Sequence, residues 1–415
     1  MQGFIKTENR ASGKEREKTR KGEALHAVLV LEDGTVLEGK GFGAEAKVTG
    51  EVVFNTGMVG YPESITDPSY RGQILCQTYP LIGNYGVSPK SFESERPRIE
   101  GYIISELCET PSHWTSEKTL DAWLKESGVP GICGIDTRAL TKKLRSHGVM
   151  LGILQTSTGK IDVDSLLKES KEIPDPNKRD LVSEVTIAKT RIYNPNAKKT
   201  VVLIDCGAKK NITRCLANRK VRVVRVPAGT DFGKVMEYSP SGIVISNGPG
   251  DPKQCVATIK TVRRLMDEEV PIFGICLGNQ ILALAAGGNT YKLKFGHRSQ
   301  NQPCLEDGTK RCYITSQNHG FAVDVKSLSK EWRQWFTNAN DGTNEGIIHK
   351  SGKFMSVQFH PEACPGPVDT EFLFDRFLQT VRKSENKYRK QGGKYVKNQK
   401  PKKALVLGSG ALRAS

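Results

Sequence analysis

The stretch Phe273-Gly274-Ile275-Cys276-Leu277-Gly278-Asn279-Gln280 constrains this chain more than any other. Val270 to Ile275 is a short apolar run that reads as a strand, and Ile281 to Ala286 reads as a helix. Between them lies a Gly-x-Cys-x-Gly step. It is the thiol form of a nucleophile elbow, a strained strand-to-helix turn that lifts its central side chain clear of the sheet. A Cβ at Gly274 or Gly278 would collide with the neighbouring helix or strand, so both positions call for glycine. The helix N-terminus aims free amides and its positive dipole end at the sulfur, which favours thiolate. Taken alone, the segment also allows an inert cysteine buried in a parallel strand.

A thiol of this kind needs a base. Phe354-Met355-Ser356-Val357-Gln358-Phe359 alternates like a strand and delivers His360-Pro361-Glu362 at its end. Pro361 stops the strand, and Glu362 is near enough to hold the imidazole tautomer and stabilise its charged form. The other candidate, His319 in Ser316-Gln317-Asn318-His319-Gly320-Phe321, has no acid nearby and lies in a turn-like stretch. It is expected to be a binding-loop or structural histidine. His26, His113, His147, His297 and His349 show no partner pattern and are expected at the surface or in ordinary packing. Donors for an oxyanion are expected from Asn247-Gly248-Pro249-Gly250-Asp251-Pro252, a rigid loop after the buried-strand pattern Gly242 to Ser246, together with the amide of Leu277. A plain tight turn is the competing reading of that loop.

The elbow, the Asn-Gly-Pro-Gly-Asp-Pro loop and His-Pro-Glu together resemble the class I, triad-type glutamine amidotransferases. Within that group, residues 199–380 are most similar to the glutaminase part of carbamoyl phosphate synthetase, through Lys294 to Arg298, Ser316 to Val323 and Asn344 to Ile347. The N-terminal part is similar to the same family at Leu29 to Thr35, Gly50 to Met58, Thr66 to Tyr70, Tyr79 to Asn84 and Asp136 to Arg138. The resemblance implies Cys276 as nucleophile, His360 as base and Glu362 as the acid that orients it. It implies glutamine contacts from Ser69, Gly248, Gly250, Leu277, Gln280, Asn318, Gly320 and Phe321, with Ser69 reaching across from the other domain. Asn279 stands where many members carry histidine, which leaves the triad intact.

The fold implied is α/β: a β-rich α/β domain over 25–160, an extended connection over 161–198, and an amidotransferase domain over 199–380. The last is expected to hold an open, mostly parallel sheet flanked by helices. Within the first domain, Thr137 to Arg145 reads as an amphipathic helix capped by Asp136 and ended by Gly148. Residues 1–24 read as a disordered lead and 381–403 as a basic linker. Ala404-Leu405-Val406-Leu407-Gly408-Ser409-Gly410 resembles the first strand of the ATP-grasp half of fused carbamoyl phosphate synthetases, so 404–415 reads as the start of a truncated synthetase region.

The activity implied is hydrolysis of L-glutamine, with ammonia passed to a synthetase large subunit or domain that uses ATP, Mg²⁺ and bicarbonate in pyrimidine or arginine biosynthesis. No cofactor or metal is expected in this chain, since it has no Walker A sequence or metal-ligand cluster. Its 415 residues include no apolar run long enough to span a bilayer. Ten cysteines without a C-x-x-C pair read as reduced thiols of a cytoplasmic protein. The net charge of +17 lies largely in the ends and reads as solvated linker, so nucleic-acid binding is disfavoured. Three other readings are set against this one: an amidotransferase serving another acceptor, a truncated regulatory or scaffold form without independent activity, and a basic nucleic-acid binder.

Overall fold

The computed structural model describes residues 24–383, 388–391 and 394–397. Short β-branched and apolar runs in the N-terminal part form the seven strands of one sheet: β1 (His26–Leu31), β2 (Val36–Gly43), β3 (Lys47–Asn55), β4 (Gln73–Gln77), β5 (Gly101–Ile103), β6 (Pro130–Cys133) and β7 (Met150–Ser157). They close into a barrel in the order β1-β2-β6-β5-β4-β3-β7, which leaves no sheet edge exposed. Successive residues of β3, β4 and β5 alternate between two cores. Val52, Phe54, Ile74, Cys76 and Ile103 enter one, with Leu140 and Leu144 of helix α1 (Thr137–His147). Val53, Leu75 and Tyr102 enter the other, with Trp123 and Leu124. The Asp136 carboxylate accepts from Ala139 N at 2.8 Å to cap α1, and Gly148 ends the helix at φ 110°.

The connection over 161–198 is not simply extended. Asp162 caps a short helix, α2 (Val163–Glu169), whose Leu166 packs on Val28, Val30 and Ile153 of the barrel. Further on, Arg191–Tyr193 (β8) pairs antiparallel with the second sheet and becomes its edge.

That sheet continues with β9 (Thr200–Asp205), β10 (Arg222–Pro227), β11 (Gly242–Ile245), β12 (Ile272–Ile275), β13 (Asn289–Glu306), β14 (Cys312–Asp324), β15 (Trp332–Asn338), β16 (Asn344–His349) and β17 (Phe354–Val357). Its order is β8-β10-β9-β11-β12-β17-β16-β15-β13-β14. The run β10-β9-β11-β12-β17 is parallel, as expected of an open α/β sheet. From β17 onward every pairing is antiparallel, so the sheet is mixed rather than mostly parallel. The reason is local: β13 and β14 are joined by a short turn at Asp307–Lys310, with no crossover helix between them.

The central strands are buried on both faces. Val202, Ile204, Ile243 and Ile245 pack with α3 (Val256–Asp267) and α4 (Leu277–Ala285). Val201, Leu203, Val244 and Phe273 pack on the other face with Phe374, Phe377 and Leu378 of the last helix, Phe372–Lys383. Residues 381–383 therefore belong to this helix, with Val381 in the core, and not to a linker. The remaining basic segment, apart from a short hairpin of Tyr388–Gln391 with Lys394–Lys397, lies outside the described residues, as do 404–415. No helix among the described residues is long and apolar enough to cross a membrane.

Candidate active site

Cys276 sits where β12 ends and α4 begins, at φ 54° and ψ −103°, a conformation foreign to L-residues outside a strained turn. Two glycines let strand and helix close around it. A Cβ on Gly274 would stand 2.4 Å from the carbonyl oxygen of Gly278, and one on Gly278 would stand 2.2 Å from that of Ile245. The Cys276 amide donates to Val357 O at 2.9 Å, which ties the elbow to β17. The thiol, 2% exposed, lies 3.6 Å from Asn318 O of β14.

His360 follows β17, with its own amide bonded to Ser316 O at 2.9 Å. Its Nδ1 is 2.6 Å from Glu362 Oε1, and its buried Nε2 has no hydrogen-bond partner. Burial works against the imidazolium, but Glu362 and then Cys276 outweigh it and raise the pKa well above the ordinary histidine range. Glu362 Oε1 also pairs with Lys209 Nζ at 3.2 Å. Burial pushes the Glu362 carboxyl up, yet Lys209 and His360 hold it well below the usual carboxylate range. Lys209 is itself 2% exposed and bonds Ala363 O. Burial would neutralise it, and Glu362, Glu93 and Asp67 together keep it charged.

A pocket opens from the thiol toward the barrel. Ser69, Gly248, Gly250, Leu277, Gln280, Asn318, Gly320 and Phe321 all line it with Cys276, so every expected contact residue is gathered in one place. His360 and Glu362 do not line it, and His360 is near enough to Cys276 to interact with the sulfur. Ser69 Oγ accepts from Asn247 Nδ2 at 2.9 Å. Gln280 donates to Phe321 O at 2.9 Å and Gln358 Oε1 at 3.1 Å, holding α4 to β14 and the end of β17. Asn279, in contrast, is fully buried and bridges Gln358 and Ser356 away from the pocket.

Three features were not read from the sequence. Lys209 is one, although its place just after β9, at the carboxyl end of a central parallel strand, is where α/β sheets put ligands. Asp67 is another. One of its oxygens accepts from Ser69 N at 2.9 Å and Asn247 Nδ2 at 3.3 Å, and the other from Asn318 Nδ2 at 2.9 Å. A single carboxylate from the barrel thus ties together three segments of the pocket wall. The third is a buried cluster of His297, His319 and Glu345. Expected without an acid and in a turn, His319 is instead inside β14 with Nε2 3.8 Å from Glu345 Oε1. Burial and His297 depress its pKa well below the ordinary range. His297, expected at the surface or in ordinary packing without a partner, is buried at 7% exposure with two, Nδ1 lying 3.2 Å from Glu345 and Nε2 2.8 Å from Asp341. Each ring nitrogen of the pair already meets a protein group, His319 through Phe321 O and Gln317 Oε1, so the cluster braces the pocket wall.

Two family models match the chain. One, described as carbamoyl-phosphate synthase small chain, CPSase domain, covers residues 29–154. The other, glutamine amidotransferase class-I, covers residues 202–380. The carbamoyl phosphate synthase small chain of Archaeoglobus fulgidus is 48% identical over 358 residues, which span 86% of this chain and 99% of that protein. This chain belongs to the carbamoyl phosphate synthase small-chain family. The small chain of Methanopyrus kandleri shows the same 48% identity over 361 residues. The multifunctional protein CAD of Squalus acanthias is 47% identical over 416 residues, 93% of this chain but 18% of that much longer protein. In small-chain terms, the CPSase match covers the barrel except for its outermost residues, and the elbow, His360 and Glu362 fall within the amidotransferase match.

Proposed function

We propose that this chain hydrolyses L-glutamine to glutamate and ammonia through a thioester on Cys276, and supplies the ammonia to a synthetase large subunit or domain for carbamoyl phosphate formation. One observation carries the reading: a strained thiol faces a pocket built by both domains and is backed by His360, Glu362 and Lys209. In the proposed sequence, the Cys276 thiolate adds to the side-chain amide carbon of glutamine. The oxyanion is received by amides near Gly248 and Leu277. As the tetrahedral intermediate collapses, the C–N bond breaks and the His360 imidazolium gives its proton to the leaving nitrogen, which departs as ammonia. His360 then takes a proton from water as the hydroxide equivalent attacks the thioester, and the C–S bond breaks to release glutamate and restore the Cys276 thiolate beside the His360 imidazolium. Glu362 keeps the imidazole oriented and favours its charged form. Lys209 keeps Glu362 ionised.

The acceptor module would use ATP, Mg²⁺ and bicarbonate, and ammonia would have to reach it before bulk water protonates it. The deciding assay is glutamate release by the purified chain, alone and with a synthetase subunit carrying its substrates. Slow turnover alone and faster turnover with the partner is the expected pattern. No glutamate in either arm would leave the scaffold reading in place of this one.

A further inference from the structure

A second cavity, of about 520 Å³, lies on the seam between the barrel and the amidotransferase domain. Its size is that of a small-metabolite site. One wall is apolar, from Val185, Ile187, Tyr193 and Ala217. Against it stand five cationic side chains and two carboxylates. Three of the cations are matched within the protein: Arg191 by Glu95 at 3.0 Å, Arg225 by Asp205 at 2.9 Å, and Arg214 by Glu93. Arg98 and Lys210 remain. Arg98 donates through Nε to Ser94 Oγ at 3.0 Å, and neither side chain forms an ion pair among the described residues. Burial, then Arg96 and Arg71, disfavour the charge on Arg98 and outweigh the pull of Glu95 and Asp205. Glu95 attracts both cations from beyond contact distance, but neither touches an anion, and charge-assisted bonds to a phosphate or carboxylate would supply that contact. The first amides of the helix Lys210–Asn218, those of Lys210 and Asn211, already donate to Glu93, so the side chains carry the site.

We propose that this cavity binds a small organic anion, a phosphate or carboxylate group held by Arg98 and Lys210 with its carbon body on the apolar wall. The cavity also touches Pro68 and Ala208, which directly precede Ser69 and Lys209. An occupant would press on Ser69 in the glutamine pocket and on Lys209 beside Glu362, and this consequence rests on the function proposed above.

Binding is tested on the full chain without reference to turnover. Phenyl phosphate, benzoate and inorganic phosphate are titrated at constant ionic strength, with heat of binding and thermal midpoint as readouts. A saturable signal is expected for the aromatic anions, stronger than for inorganic phosphate. The better of phenyl phosphate and benzoate assigns the head group. Arg98→Gln with Lys210→Gln should keep the unliganded midpoint and weaken binding at least about tenfold, as for the loss of a charged hydrogen bond. Glu95→Gln, which frees Arg191, should tighten it. Absence of saturation, or equal binding by the double variant, overturns the proposal. So does protection by a synthetase polypeptide alone, which would make the cavity a socket for an acidic segment.

Discussion

Replacing Glu362 with glutamine should cost more stability than its proposed place in a catalytic triad suggests. The carboxylate holds two cations in a fully buried site: His360 at 2.6 Å and Lys209 at 3.2 Å. At an effective dielectric of about 20, a pair of unit charges at the Lys209 separation of 3.2 Å attracts by about 5 kcal/mol. Breaking a buried pair by removing one partner typically costs about 3–5 kcal/mol, because the other charge is left uncompensated. Glu362→Gln should therefore lower unfolding free energy by about that amount in urea titrations. Adding Lys209→Met should restore most of it, since two neutral groups replace two charges. Turnover should not return, because neither change gives His360 its anion.

The pH dependence follows from the directions of the shifts. Glu362 has a depressed pKa in the folded state, so its contribution is present above its unfolded value and is lost as pH falls through the lower one. The pKa of His360 is raised, so its contribution is complete below its unfolded value and fades as pH climbs through the higher one. The stability gap between the native chain and Glu362→Gln should thus narrow at both extremes. A loss below about 1 kcal/mol at neutral pH, or a double variant less stable than the single one, would refute the reasoning.

Three further outcomes are expected. Ser69→Ala should raise the glutamine KM about tenfold with a smaller effect on kcat, because its hydroxyl lines the pocket and is not placed at the sulfur; a loss confined to kcat would contradict this. Gly278→Ala should destabilise the chain by about 3 kcal/mol or more in urea, since its Cβ would meet the Ile245 carbonyl and that backbone cannot yield. Glu93→Ala should lower both stability and glutaminase rate, because Glu93 reaches from the first domain to accept from Asn211 N at 3.0 Å and to pair with Arg214, fixing the turn that presents Lys209; an unchanged rate would show that the domains need not be clamped.

What could be read from the sequence was local. The elbow showed itself because two glycines and a cysteine must occupy fixed places in one turn, and Asp136 because a cap acts within three residues. His360 and Glu362 are two residues apart on a chain stopped by proline. What escaped depends on register over long distances. Barrel closure needs β1 to meet β7, which follows it by more than a hundred residues, and no periodicity encodes that pairing. The antiparallel flank depends on which edge β13 and β14 choose. Lys209 looks like one of two adjacent lysines until the fold aims it at Glu362. Asp67 was visible only as part of a similar segment, since its partners Asn247 and Asn318 come from another domain. The same holds for His297, His319 and Glu345, which three different strands bring together.

The central claim is that Cys276 forms a covalent bond with the glutamine acyl group. Its most direct test is an acid quench of the chain during turnover, followed by mass mapping of the cysteine-containing peptides. A γ-glutamyl adduct is expected on the Cys276 peptide, vanishing in Cys276→Ser together with glutamate release. An adduct on another of the ten cysteines, or undiminished hydrolysis by the Cys276→Ser chain, would contradict the account.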